Sequence, residues 1–158
     1  MTQKLTELAA AIGEEISLGR ELLDNLSAQR KAILGWEIST LIERIEGREA
    51  LLLNLGAVEE KRQRITNQLG GEEANLSLQA ILGRVLSPAE AAELSCLGEQ
   101  ARRTYTRLQA EEKSLLSLME NLLGHIREAL SPLTLPEVRL YGKTAAPRSS
   151  SGLLQGKI

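Results

Sequence analysis

Apolar side chains recur through the first part of the chain at Leu5, Leu8, Ala9, Ile12, Ile16, Leu22, Leu23, Leu26 and Ile33. This is the i, i+3, i+4, i+7 stripe of an amphipathic helix. Heptad steps place Leu5, Ile12, Gly19, Leu26 and Ile33 on one seam, as in coiled-coil-like packing. Carried on, the seam meets Thr40, Gly47, Asn54 and Lys61, which cannot form a core. A new stripe starts instead: Leu41, Ile42, Ile45, Leu52, Leu55, Val58, Ile65 and Leu69. The phase therefore changes near Gly35-Trp36. A tight hairpin accounts for this, and so does a stutter in one continuous rod. The hairpin buries both stripes, and Gly35 suits the C′ position after a helix end. Against it, no good N-cap residue follows Gly35.

Gly70-Gly71 breaks the second helix. A short helix follows, and then Ser87-Pro88-Ala89-Glu90. Ser87 can cap, Pro88 fits the first helical position, and Glu90 can reach back to close a capping box. The last helix carries Leu94, Leu97, Ala101, Leu108, Leu115, Leu118, Met119, Leu122, Ile126 and Leu130. It is expected to stop at Ser131-Pro132, because proline disfavours a helical residue before it. The predicted fold is all-α: an elongated antiparallel bundle of three to four long helices, coiled-coil-like. They lie at about 3–34, 37–69, 73–86 and 88–130, in a body spanning 1–131, with a flexible partner-binding tail over 132–158.

Composition narrows the class of function. Among 158 residues 42% are apolar, yet Phe is absent and Trp occurs once. Leucine carries the burial, which suits helix-on-helix packing better than strands. The tail is basic, with Arg139, Lys143, Arg148 and Lys157 against Glu137, so the body is acidic. An acidic body argues against nucleic-acid binding. A single cysteine, Cys96, allows no internal disulfide and fits a reducing compartment. No apolar run approaches the ~20 residues that span a bilayer, and the N-terminus has no signal-peptide pattern. A cytoplasmic protein without membrane insertion is expected.

Catalytic, metal and cofactor sites are not expected. A di-metal carboxylate bundle needs two Glu-x-x-His motifs, and the one histidine, His125, has Leu122 at that offset. Gly142-Lys143-Thr144 resembles the end of a phosphate-binding loop, but Glu137 stands where its first glycine belongs. Cys96, between Leu94 and Leu97, reads as a buried or half-buried thiol, and Trp36 as a packing residue at the turn, with a partner contact as the alternative.

The segment from Ile33 to Gly70 resembles the second-helix signature of the FlgN family of flagellar export chaperones. The elements that carry the likeness are Arg48-Glu49-Ala50-Leu51-Leu52-Leu53-Asn54-Leu55, then Glu59-Glu60-Lys61-Arg62, a long final helix, and a tail containing Leu140-Tyr141-Gly142. The resemblance implies a cytoplasmic chaperone that binds terminal helices of hook-associated (hook–filament junction) proteins. It would prevent their premature assembly and deliver them to the flagellar type III export gate. It also implies client binding by the C-terminal helix and tail, and docking to the cytoplasmic domain of the gate through Tyr141.

Residue chemistry supplies a matching mechanism. A groove beside the last helix, lined by Leu115, Leu118, Met119, Leu122, Leu123, Ile126 and Leu130, would accept an amphipathic client helix. Leu133, Leu135 and Leu140 in the tail would order on binding. Leu123, off the main stripe, is the better surface candidate. The competing reading is a structural or adaptor coiled coil acting through helix-helix assembly. A monomer or a homodimer fits either reading.

Overall fold

The computed structural model describes residues 3–70, 83 and 86–149, with side chains as far as Leu133. The described residues form three α-helices: α1 (Gln3–Leu34), α2 (Ile38–Gly70) and α3 (Pro88–Ser149). The short helix expected at about 73–86 lies almost wholly outside them. The chain divides into two compact units, Met1–Leu115 and Leu116–Ile158.

In the first unit α1 buries the predicted seam. Leu5, Ile12, Gly19, Leu26 and Ile33 are all buried, and the intervening Leu8 and Leu22 complete a heptad core. Leu5, Leu8, Ile12 and Ile16 pack with Ile65 of α2 and with Leu94 and Ala101 of α3. Cross-helix contacts fix the directions. Glu15 meets Arg62 and Asn25 meets Arg44, so α2 runs antiparallel to α1. Gly19 meets Thr104 and Arg30 meets Ser114, so α3 runs parallel to α1.

The phase change near Gly35 is a hairpin, and its hydrogen bonds show how the chain turns. The amide of Trp36 donates to the Ile33 carbonyl at 3.2 Å and that of Glu37 to the Ala32 carbonyl at 2.9 Å. This pair of bonds is a Schellman motif. The left-handed residue is Trp36, with φ 55°, and not Gly35. Gly35 keeps the last α-helical bond, to Lys31, so the C′ position lies one residue later than the sequence suggests. The left-handed conformation costs an L-residue about 1–2 kcal/mol. Trp36 is also not the packing residue expected, being 65% exposed.

At the start of α3 the capping box forms. The Ser87 amide donates to a Glu90 carboxylate oxygen at 3.2 Å, and the Glu90 amide donates to Ser87 Oγ at 3.4 Å. The far end differs from expectation: α3 continues through Pro132 to Ser149. The bias of a residue before proline against helical angles is not a bar. The ring removes one intrahelical hydrogen bond, while the turns on either side keep theirs. The cost remains, near 3 kcal/mol for an interior proline, and α3 also contains Pro136 and Pro147. Amides of residues 133–149 are therefore expected to exchange with little protection, and those of Leu94–Leu115 to approach global protection. Hydrogen exchange with residue resolution checks this; equal protection in both stretches would contradict it.

Polar side chains bind the three helices at defined heights. Arg62 Nε donates to Glu15 Oε1 at 2.6 Å, and the Glu15 side chain is only 2% exposed. Beside them the Tyr105 hydroxyl donates to Glu59 Oε1 at 2.7 Å. Burial pushes the Glu15 carboxyl above its ordinary value, and the Arg62 hydrogen bond and charge only partly offset this. Burial, then the bond to Glu59, raises the Tyr105 phenol as well. Farther along, Asn25 donates to the Arg44 carbonyl at 3.0 Å and accepts from Gln29 Nε2 at 2.7 Å.

Candidate functional site

The apolar stripe of α2 is buried only in its second half, at Leu55, Val58 and Ile65. Ile42, Ile45 and Leu52, expected in the core, are exposed. Cys96 is likewise exposed rather than buried. His125 is exposed and lies 3.8 Å from Glu128. Among the described residues no cluster of His, Cys, Asp and Glu has the arrangement to hold a metal ion.

The second unit presents a different surface. From Leu116 onward α3 carries Leu116, Met119, Leu123, Ile126, Leu130 and Leu133, spaced three and four residues apart in strict alternation. That spacing keeps all six on one seam of the helix. Five of them are between 38% and 77% exposed, and Met119 is half-buried. Leu118 and Leu122, also half-buried, widen the seam on one flank. The apolar arc covers roughly 160° at ~3.6 residues per turn. This is broader than the narrow seam of a two-stranded coiled coil and matches the face a helix turns toward a protein core. Glu120, Arg127 and Glu128 occupy the remaining arc and leave the seam uncharged.

The expected docking residues are thus divided. Leu118, Met119, Leu122, Leu123, Ile126, Leu130 and Leu133 lie on or beside one face of one helix. Leu115 does not belong with them. It is 5% exposed and belongs to the core of the first unit. Leu116 takes the outward position, which the apolar stripe alone does not reveal. The signal for it is the heptad series Leu116, Leu123, Leu130, which is out of phase with Leu94, Ala101, Leu108 and Leu115 by one residue. Leu135, Leu140 and Tyr141 lie on the backbone of α3, with side chains outside those described.

A helical bundle followed by a helix with a broad exposed apolar face defines a class of protein that acts by helix packing. No helix among the described residues is long and apolar enough to cross a membrane. The sequence model of the family described as FlgN protein matches residues 1–149, and the chain belongs to that family. It is a flagellar export chaperone, from a family of chaperones and not of enzymes, whose clients are flagellar proteins. No curated protein and no solved structure matches the chain.

Proposed function

We propose that the chain is a cytoplasmic chaperone for hook-associated proteins and that the α3 face from Leu116 to Leu133 receives their terminal helices. The observation that supports this is the unbroken three-and-four spacing of exposed leucine and isoleucine, with the half-buried Met119, along that face. A junction protein outside the filament exposes the apolar stripes of helices that pair only after assembly. Laying such a stripe along the α3 seam removes both apolar surfaces from water, at about 25 cal/mol per Å². Leucine and methionine suit a surface that must re-pack on more than one client. Ordering the client and the proline-containing end of α3 costs entropy, which keeps affinity moderate and lets the client leave at the gate. Tyr141, beyond the client face, is the proposed contact with the export gate, and the body over 1–131 is its scaffold.

The test is a titration of the full chain with a peptide from the terminal helix of a hook-associated protein. Leu123→Glu with Leu130→Glu is expected to weaken binding at least tenfold, equivalent to about 1.4 kcal/mol. Both sites are exposed, so the melting temperature should stay close to that of the parent. Tyr141→Ala should leave client binding intact and weaken only binding to the gate domain. Undiminished client binding in the double variant would refute the site assignment. The heptad spacing also fits self-assembly, the alternative function. Sedimentation of the chain alone separates the two, since an adaptor coiled coil forms a higher oligomer at low concentration without any client.

A further inference from the structure

Large apolar side chains also face solvent at the hairpin end of the first unit. Leu34, Trp36, Ile38, Ile42 and Ile45 are all exposed. Ile38, Ile42 and Ile45, at i, i+4 and i+7, share one face of α2. That face lies well around the helix from the buried Leu55, Val58 and Ile65. Exposure of single apolar residues is ordinary, but a cluster of five beside one turn is the mark of an interaction site.

A second observation is independent of exposure. The turn holds a left-handed residue, and that residue is tryptophan. Glycine would take this conformation without strain. In the bundle itself Trp36 gains little from burial to offset the strain. Backbone strain of this kind gathers where binding requires it, and tryptophan is the side chain that contributes most as an anchor in a partner's pocket.

The charges around the cluster point to the partner. Glu37, Glu43, Glu46 and Glu49 line the same stretch, and none makes an ion pair among the described residues. Glu49 lies on the apolar face itself, between Ile45 and Leu52. Of the nearby cations, Arg30 is held by Ser114 and Glu111 and Arg48 by Glu112. Arg44 and Lys31 make no ion pair among the described residues, so two free cations stand against four carboxylates. Arg44 lies on the other side of α2 from Glu46 and Glu49.

We propose that this turn is a docking surface of the first unit and that it receives a basic amphipathic helix of a partner protein. Apolar residues of that helix pack on Trp36, Ile38, Ile42 and Ile45, and its lysines or arginines meet Glu46 and Glu49. Nothing in this reading depends on which client the α3 face binds.

Trp36 is the only tryptophan, so its fluorescence reports directly on the site. The probes are two designed helical peptides with leucines at i, i+3, i+4 and i+7, one flanked by lysines and one by glutamates. The lysine peptide is expected to bind saturably with a blue shift of emission, and the glutamate peptide at least tenfold more weakly. Trp36→Gly, followed by anisotropy of labelled peptide, should weaken binding at least tenfold while leaving the melting temperature unchanged or higher. Glu46→Lys with Glu49→Lys should reverse the preference between the peptides. Equal affinity for both peptides, or binding of neither, would overturn the proposal. So would a melting temperature lowered by Trp36→Gly, which would make Trp36 a packing residue after all. A blue shift on dilution-sensitive self-association, or on anionic vesicles in preference to the lysine peptide, would assign the surface to a second copy or to lipid and overturn it too.

Discussion

Arg62→Met is expected to destabilise the first unit by about 3 kcal/mol at neutral pH, with a deficit that shrinks as the pH falls. Removing one member of a buried ion pair strands the other, at a cost of about 3–5 kcal/mol. The lower end applies here because Arg62 is itself about a third exposed, whereas Glu15 is buried. The pH dependence follows from Glu15. Its carboxyl already sits above 4.5 because burial disfavours the charge more than Arg62 favours it. A carboxyl raised in the folded state binds its proton more tightly there than in the unfolded chain. Its contribution to stability is then fully present below the unfolded value and is lost as pH rises through the folded one. Without Arg62 both offsetting influences vanish and the carboxyl rises further, so the loss begins at the same unfolded value but continues to a higher pH and is larger. Urea titrations at about pH 7.5 and about pH 5 should show the gap between variant and parent narrowing by about 1 kcal/mol or more. A gap that does not change with pH would mean that the stranded carboxylate is not the cause. Glu15→Leu placed on top of Arg62→Met should recover most of the loss, since an apolar pair of similar volume is often as stable as the ions it replaces.

The location of that pair shows how far the sequence can be read. Extending the heptad from Leu5 puts Leu8, Glu15, Leu22 and Gln29 at the second core position, and all four are buried. The seam was legible, but its two polar members are invisible to a pattern counted in apolar residues alone. Helices α1 and α2 and the capping box were legible for a related reason: each is set by local spacing or local hydrogen bonding, whereas the phase change at Gly35-Trp36 left a hairpin and a stutter both open. The first half of α2 was not. Ile38, Ile42 and Ile45 have ordinary core spacing, and nothing in a period of 3.6 says whether a stripe meets its own bundle or a partner. Leu115 and Leu116 show the same limit. Of these adjacent leucines one is buried and the other exposed, and only the change of heptad phase between Leu108-Leu115 and Leu116-Leu123 separates them. The left-handed Trp36 was hidden because the residue in that position after a helix is usually glycine, and here a glycine stands next to it. The path of α3 through Pro132 was hidden because the bias before proline is a preference that the turns on either side can outweigh.

Gly19 is where the spacing of the bundle is most tightly determined, and Gly19→Ala is expected to cost about 1–2 kcal/mol. On an exposed helix the same change gains about 1 kcal/mol. At Gly19 the new Cβ would lie 2.5 Å from Thr104 Cγ2 and 3.6 Å from Leu108 Cδ1. The first distance is inside contact range, so something must move. Thr104 cannot turn its methyl away freely, because its Oγ1 donates to the Gln100 carbonyl at 2.9 Å and a β-branched side chain has few rotamers on a helix. The remaining way out is to part α1 from α3, and overpacking of this kind costs about 1–3 kcal/mol before the propensity gain is subtracted. Gly13 and Gly98 serve as internal controls. A Cβ at either meets nothing within 4 Å, so alanine there should stabilise by up to about 1 kcal/mol. Thr104→Ser removes Cγ2 while keeping the hydroxyl bonded to Gln100. In that background Gly19→Ala should turn from destabilising to stabilising, a coupling of about 2 kcal/mol in the double-mutant cycle. If Gly19→Ala costs as much in the Thr104→Ser background as in the parent, the crossing of α1 and α3 is not held by this contact. A sign reversal would show that one missing methyl on α1 sets how closely α3 approaches it.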